Sequence, residues 1–150
     1  MKTIKITFGL LLLAFAAFAQ KESPVKWSFS SRKKADNVYE VVLSASVSKP
    51  WHIYSQFTPK GGPLATDITF ATNPIVVFDG DVKESGKLLT NYDKSFKVDV
   101  KYFSDKVEFV QTVKTRGAVQ TDVRGTIEYM VCDDSKCLPP VKQPFEIKLQ

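Results

Sequence analysis

The amino-acid sequence predicts an all-β domain, and two observations carry the prediction. Apolar and polar residues alternate with a period of two in most segments beyond the N-terminus, and no window shows the period of an amphipathic helix. Turn-forming residues separate these segments, so strand follows strand without the crossover helices of a parallel α/β fold. About eight or nine short strands in one domain favour an immunoglobulin-like β-sandwich. A small β-barrel is the alternative architecture.

Each predicted strand is a run in which one face is apolar. The clearest example is residues 39–47, where Tyr39, Val41 and Leu43 share a face. In chain order, the predicted strands are residues 27–30, 39–47, 51–55, 66–71, 75–78, 96–102, 107–113, 127–131 and 145–149.

The predicted turns contain residue types that bend a chain for known reasons. Glycine adopts positive φ, proline fixes φ near −65°, and asparagine or aspartate bonds to its own backbone. Such residues, with serine, lysine or arginine beside them, occur at positions 35–37, 59–63, 73–74, 79–81, 104–106 and 116–117. The strands are therefore expected to succeed one another through short turns.

Residues 1–19 are predicted to be a secretory signal peptide. Lys2 and Lys5 precede an uncharged apolar run that closes on small residues ending at Ala19. We expect cleavage after Ala19, export to the periplasm or out of the cell, and one mature domain over residues 20–150. No later apolar run approaches the length of a membrane span, so no stable membrane insertion is expected after cleavage.

The composition limits which classes of partner the protein can bind, and it bears on whether the cysteines are needed for folding. The 150 residues carry a formal net charge of +5 at pH 7, and two of the positive charges lie in the predicted signal peptide. The others are spread along the chain, whereas nucleic-acid binding needs a clustered basic face. We therefore expect no nucleic-acid partner. A domain of this length can also bury a core without help from disulfides.

Most catalytic chemistry lacks its residues in this chain. The sequence has one histidine, His52, and neither a nucleophile-elbow serine nor a phosphate-binding glycine loop. Two cysteines and one histidine fall short of the four ligands of a closed zinc site. No metal and no cofactor are expected, and the remaining candidates for chemistry are Cys132 and Cys137.

The two cysteines form a C-x4-C pair that is expected to be bonded after export. A loop of about six residues stabilises a fold by only roughly 2 kcal/mol in a chain-entropy treatment. That small contribution favours thiol–disulfide exchange, but it leaves an inert bridge in a non-enzymatic, immunoglobulin-like binding or assembly module as the rival reading. Binding of a soft metal such as Cu(I) by the reduced thiols is a third possibility.

The residues around the pair predict unequal roles. Strand alternation places Cys132 on the face opposite Tyr129 and Val131. Asp133 and its neighbour Asp134 disfavour a thiolate, whereas Lys136 favours one on the adjacent Cys137. The prolines at positions 139 and 140 fix an extended exit from the loop. Charge therefore predicts that Cys137 is the better nucleophile.

The segment from Tyr129 to Pro140, with the letters YMVCDDSKCLPP, resembles the active-site segment of the N-terminal periplasmic domain of the thiol:disulfide interchange protein DsbD family. The likeness extends to residues 50–56, 61–66 and 96–103. It implies an immunoglobulin-like sandwich whose cysteines relay electrons from a thioredoxin-like or membrane-embedded donor to oxidised periplasmic client proteins. By position, Cys137 would form the mixed disulfide and Cys132 would resolve it.

The resemblance also implies which residues surround the sulfurs. The family's cap loop falls at residues 92–96, with Phe96 as the expected cover and Tyr92 as a second candidate. The alternative is that Phe96 opens an apolar strand face as part of the core. Tyr54 matches an aromatic residue near the sulfurs, and His52 stands where the family can carry a tyrosine. We expect Asp133, Lys136 and Pro139 to complete the surroundings of the pair.

Overall fold

The computed structural model describes residues 23–150, and the predicted signal peptide lies outside this range. Eleven strands and no helix occur in the described part of the chain. In order, they are β1 (Val25–Ala35), β2 (Val38–Val47), β3 (His52–Tyr54), β4 (Asp67–Phe70), β5 (Val76–Gly86), β6 (Leu89–Asp93), β7 (Val98–Phe103), β8 (Lys106–Thr115), β9 (Thr121–Tyr129), β10 (Val131–Cys132) and β11 (Val141–Leu149).

The strands form three open antiparallel sheets, and the fold is an immunoglobulin-like β-sandwich, as predicted. The strand orders are β1-β2-β8-β5, β10-β3-β7-β6 and β11-β9-β4. The main core lies between the first sheet and the other two. Leu43 and Phe109 face it from the first sheet, while Phe103, Ile127 and Phe145 face it from the other sheets.

The alternation of apolar and polar residues correctly predicted core residues of the long strands. Val41, Leu43 and Ala45 of β2 are fully buried, and Val107 and Phe109 of β8 are too. These residues share inward faces because side chains two apart in a strand point the same way.

The structure differs from the prediction at two places in the middle of the chain. Residues 79–81 were predicted to be a turn, but they form an irregularity within β5, where the register against β8 shifts between Asp79 and Lys83 and Gly80 has a φ of 71°. A glycine at positive φ fits a bulge as well as a turn. β6 was not predicted, since its exposed residues Thr90 and Asn91 lack an apolar alternation.

Two further strands have different ends from those predicted. β7 begins at Val98 rather than Phe96, because residues 94–97 form a turn in which Lys97 has a φ of 58°. The predicted strand at residues 127–131 is interrupted at Met130. β9 pairs with β4 and β11, whereas β10 pairs with β3 in another sheet. This change of sheet carries Cys132 out of the main core.

Within the described residues, no helix is long and apolar enough to cross a membrane.

Candidate functional site

The two cysteines are bonded across a short hairpin that follows β10. Their sulfur atoms are 2.01 Å apart and their Cα atoms 4.0 Å apart. The Leu138 amide donates to the Val131 carbonyl at 2.8 Å, and the Asp133 amide donates to the Lys136 carbonyl at 2.9 Å. Cys132 and Cys137 face each other between these two bonds, in the position where antiparallel strands come closest. The hairpin itself therefore brings the sulfurs together.

The cysteines differ in their access to solvent. Cys132 is 1% exposed and packs with Tyr54 and Val100 in a small apolar cluster, separate from the main core. Cys137 is exposed. A molecule that approaches from solvent therefore meets Cys137 first.

Asp133 holds the loop between the cysteines in shape. One carboxylate oxygen, Oδ1, accepts hydrogen bonds from the Ser135 amide, the Ser135 hydroxyl and the Lys136 amide, each at 2.8 Å. The Ser135 bonds, followed by the Lys136 amide and charge, hold the pKa of the Asp133 carboxyl below its ordinary value. The Lys136 ammonium lies 5.9 Å from the centroid of the Trp51 ring, so a cation–π contact also fixes the loop.

β3 supplies two ring side chains beside the disulfide. His52 lies directly opposite Cys132 in the antiparallel pair of β3 and β10. Residues in that relation share a face, with Cβ atoms about 4.5–5.5 Å apart. The His52 Nε2 atom is 3.1 Å from the Tyr54 hydroxyl, and the imidazole centroid is 4.8 Å from the ring of Tyr102 on β7. The imidazole is thus held by two phenol side chains next to the buried cysteine.

Burial is the main influence on both titratable groups of β3. It holds the pKa of His52 below the ordinary value of 6.5. Three aspartates oppose this shift, in decreasing order Asp134, Asp133 and Asp93. Burial, with smaller effects of Asp93 and Tyr102, raises the pKa of Tyr54 to about 12. The imidazole and the Tyr54 phenol are therefore both uncharged at neutral pH.

The turn between β6 and β7 forms the opposite wall of a groove of about 530 Å³ that contains both cysteines. Asp93 shapes this turn, because its Oδ1 accepts from the Ser95 amide at 2.7 Å and from the Phe96 amide at 3.1 Å. Phe96 is 41% exposed and Tyr92 is 55% exposed, and both line the groove. The alternative that Phe96 belongs to the core is therefore wrong.

The structure brings most of the predicted site residues together. The groove is lined by Cys132, Cys137, Phe96, Tyr92, Tyr54, His52, Asp133 and Lys136. Pro139 instead lies on a separate apolar groove behind the hairpin, beside Leu138 and Val141.

Outside the predicted cap loop at residues 92–96 and the cysteine loop at residues 132–137, sequence reasoning missed three residues of the groove, namely Asn91, Val100 and Tyr102. Asn91 belongs to the unpredicted β6. Tyr102 carried a usable signal, because alternation places it on the same strand face as Val100. Its pairing with Tyr54 is visible only in the structure. Among the described residues, no group of three or more histidine, cysteine, aspartate or glutamate side chains could hold a metal ion.

An immunoglobulin-like sandwich with a half-exposed cysteine pair at a groove defines a class of protein, the thiol–disulfide interchange domains of β architecture. The sequence agrees, since residues 18–149 match the family described as "Thiol:disulfide interchange protein DsbD, N-terminal". The chain belongs to this family of DsbD N-terminal domains. No curated protein matches the chain in sequence.

Solved structures share the fold at low identity. A DsbD N-terminal domain in complex with the PilB N-terminal domain, from Neisseria meningitidis, is 11% identical with a TM-score of 0.55, and the match covers 87% of each chain. The N-terminal periplasmic domain of ScsB from Proteus mirabilis is 13% identical with a TM-score of 0.53. That match covers 83% of this chain but only 44% of the ScsB chain.

Proposed function

We propose that the domain is an electron relay in which Cys132 and Cys137 alternate between dithiol and disulfide. The observation that carries the proposal is the bonded pair itself, with one cysteine buried and the other exposed at a groove. An inert staple needs no such access, whereas exchange requires that one sulfur be reachable and the other be close behind it.

In the reducing direction, the Cys137 thiolate attacks a sulfur of the client's disulfide. A mixed disulfide forms, and the client's other sulfur leaves as a thiolate that takes up a proton. Cys132, which has lost its proton, then attacks the Cys137 sulfur. The client's first sulfur departs, the Cys132–Cys137 bond forms, and the client has gained two electrons. A donor dithiol restores the pair by attack on Cys137 and the reverse sequence.

The partners and the location follow from the family and the predicted leader. We propose a mature domain over residues 20–150, released into the periplasm by cleavage after Ala19. A thioredoxin-like or membrane-embedded protein would donate the electrons, and oxidised periplasmic proteins would receive them. The Neisseria meningitidis complex of a DsbD N-terminal domain with a PilB N-terminal domain supports protein partners of this kind.

Phe96 and Tyr92 are proposed as the cover of the sulfurs. Both side chains are exposed on the wall opposite the hairpin. Because Cys137 is itself exposed, a partner would pack on these rings as it docks on that cysteine. Apolar rings at this position would limit the access of water to the groove side of the pair.

Trapping of mixed disulfides tests the assigned roles. Because Cys132→Ser removes the resolving sulfur, this variant should accumulate disulfide-linked partners in periplasmic extracts, visible on non-reducing gels. Cys137→Ser is the matched control and should accumulate few. If Cys137→Ser traps partners and Cys132→Ser does not, the roles are reversed.

The redox potential separates the relay from a permanent bridge. The oxidised domain is equilibrated with glutathione or dithiothreitol mixtures, and the reduced fraction is measured by thiol alkylation. We expect a midpoint within the range of exchange proteins, about −120 to −270 mV. A midpoint below about −300 mV would identify a structural bond and favour the binding or assembly module.

A further inference from the structure

His52 is the residue nearest in register to the resolving cysteine. It is the cross-strand partner of Cys132, and both side chains line the same groove. Its ring is fixed by the Tyr54 hydroxyl at Nε2 and by the Tyr102 ring. Among the residues that the structure describes, the imidazole makes no second hydrogen bond, so Nδ1 is available to a thiol.

Cys132 needs help to become a nucleophile. Only a thiolate attacks a disulfide, and burial in apolar surroundings disfavours a thiolate. Cys132 is 1% exposed, and the two aspartates that follow it add negative charge nearby. No lysine or arginine lines the groove except Lys94 and Lys136, and the Lys136 ammonium lies over Trp51.

We propose that His52 is the base that takes the proton from Cys132 in the resolving step. The inference rests on the proposed relay and adds the proton path to it. The Cys132 S–H proton passes to the imidazole as the sulfur attacks Cys137. The imidazolium then returns the proton to the departing partner thiolate. One S–S bond forms, one breaks, and no proton is gained or lost.

The surroundings of His52 suit both the neutral imidazole and the protonated imidazolium. Burial holds the pKa of His52 low, so the ring is uncharged and able to accept a proton near neutral pH. Charged groups face it from the neighbouring elements, with Asp93 at the end of β6 and Asp133 and Asp134 in the hairpin. They stabilise the imidazolium once it forms. The Tyr54 and Tyr102 side chains, from β3 and β7, are phenols that stay neutral in this range.

A two-phase thiol assay tests the assignment. The reduced domain is mixed with one equivalent of dithiobis(nitrobenzoate), which releases coloured thionitrobenzoate once when Cys137 attacks and again when Cys132 resolves. His52→Gln should slow the second phase by about tenfold or more at neutral pH, as loss of a general base does. The first phase should change by less than about twofold, and it is the internal control.

The pH profile distinguishes a base from a packing residue. In the wild-type domain, the second-phase rate should rise as His52 loses its proton and then level off. In His52→Gln it should keep rising until Cys132 ionises unaided. His52→Tyr, which preserves a ring, should behave like His52→Gln. Added free imidazole should partly restore the second phase in a His52→Ala variant.

Equal slowing of both phases, or an unchanged second phase with an unchanged pH profile, would overturn the inference while the relay stands. If the wild-type domain releases only one equivalent of thionitrobenzoate, both the relay and the inference fail. A measurement without any substitution provides an independent test, because His52 is the one histidine of the chain. Its NMR titration should differ between the oxidised and reduced domain, and identical titrations would overturn the inference.

Discussion

At the scale of single residues, Asp133 is the side chain that orders the loop between the cysteines. Its Oδ1 atom accepts three hydrogen bonds, two from Ser135 and one from Lys136, and no other side chain spans the loop in this way. Aspartate at this position closes the turn by bonding to the backbone that follows it. The carboxylate thus orders the loop in addition to placing a negative charge beside Cys132.

Asp133→Ala should loosen the hairpin while the sandwich stays folded. We expect several-fold faster hydrogen exchange at the Ser135 and Lys136 amides, because both lose their acceptor. Asp133→Asn retains an Oδ1 acceptor and should exchange nearly as slowly as the wild type. Equal protection in Asp133→Ala would show that the carboxylate does not order the loop.

The same carboxylate gives the hairpin a pH dependence. The hydrogen bonds from Ser135 lower the pKa of Asp133 in the folded state. They therefore stabilise the loop above the ordinary pKa of an aspartate, and the effect is lost as the pH falls through the lowered value. Amide protection of Ser135, corrected for intrinsic exchange, should decrease in that acidic range. In Asp133→Asn it should not change with pH.

The phenol of Tyr54 should titrate at high pH, at the opposite end of the scale from Asp133. Burial raises its pKa from 10.0 to about 12. Because the folded state resists ionisation, stability should be unaffected below pH 10 and should fall as the pH rises from about 10 to 12. Ultraviolet absorbance should show a late tyrosinate transition that Tyr54→Phe lacks. Persistence of that transition in Tyr54→Phe would assign it to another tyrosine.

The residues of the site were predictable to the extent that they lie near the cysteines in sequence or belong to an alternating strand. Cys132 and Cys137 were found from their spacing, and alternation predicted that Cys132 lies on the face opposite Val131. Its burial in a cluster separate from the main core was not predicted, because it depends on the pairing of β10 with β3. The family resemblance placed His52 near the sulfurs, but its pairing with Cys132 was not predictable, since it depends on the register of β3 against β10, some eighty residues apart.

At the scale of the strands, β9 shows that a glycine is needed where groups of the two neighbouring strands lie close to its backbone. Gly125 lies between Phe70 of β4 and Phe145 of β11, and the two phenyl rings are 5.7 Å apart. A β-carbon at Gly125 would meet the Phe145 ring and the Thr69 carbonyl oxygen. The backbone carbonyl cannot move without disturbing the pairing of β4, so glycine is required for space.

Gly125→Ala should lower the free energy of unfolding by about 1–3 kcal/mol, the usual cost of overpacking. Chemical denaturation measures the change. Glu146→Ala is the control on the adjacent strand, because it removes only an exposed ion pair with Arg124 and should cost less than about 1 kcal/mol. A neutral Gly125→Ala would mean that β4 and Phe145 adjust freely.

Strand predictions succeeded where one face is buried and failed where neither face is. β8 and β11 alternate between core and solvent, which is the pattern that sequence reveals, and β2 does so except at Val42, which is buried as well. β6 is an edge strand with three consecutive exposed residues, Thr90 to Tyr92, and carries no such pattern. The sequence did not show that residues 121–132 are divided between two sheets. The alternation of apolar and polar residues continues through Met130, although β9 and β10 pair with different strands.

At the scale of the whole molecule, the disulfide lies apart from the structure that holds the sandwich together. The main core contains neither cysteine, and Cys132 packs in a small cluster with Tyr54 and Val100. The hairpin closes a sequence separation of 5 residues within a single sheet edge. A bond of this kind restricts the unfolded chain little, so the redox state can change while the fold persists.

Reduction should therefore lower the free energy of unfolding by only about 2 kcal/mol. For a domain of this size, that corresponds to a fall in Tm of roughly 6–10 °C, measured by calorimetry with and without dithiothreitol. A Cys132→Ala/Cys137→Ala double variant is the control, and its Tm should not respond to the reductant. Both forms should retain the strand signature in far-ultraviolet circular dichroism. Unfolding of the reduced domain at 25 °C would contradict the independence of core and disulfide, and a relay that must pass through the dithiol state could not work with such a domain.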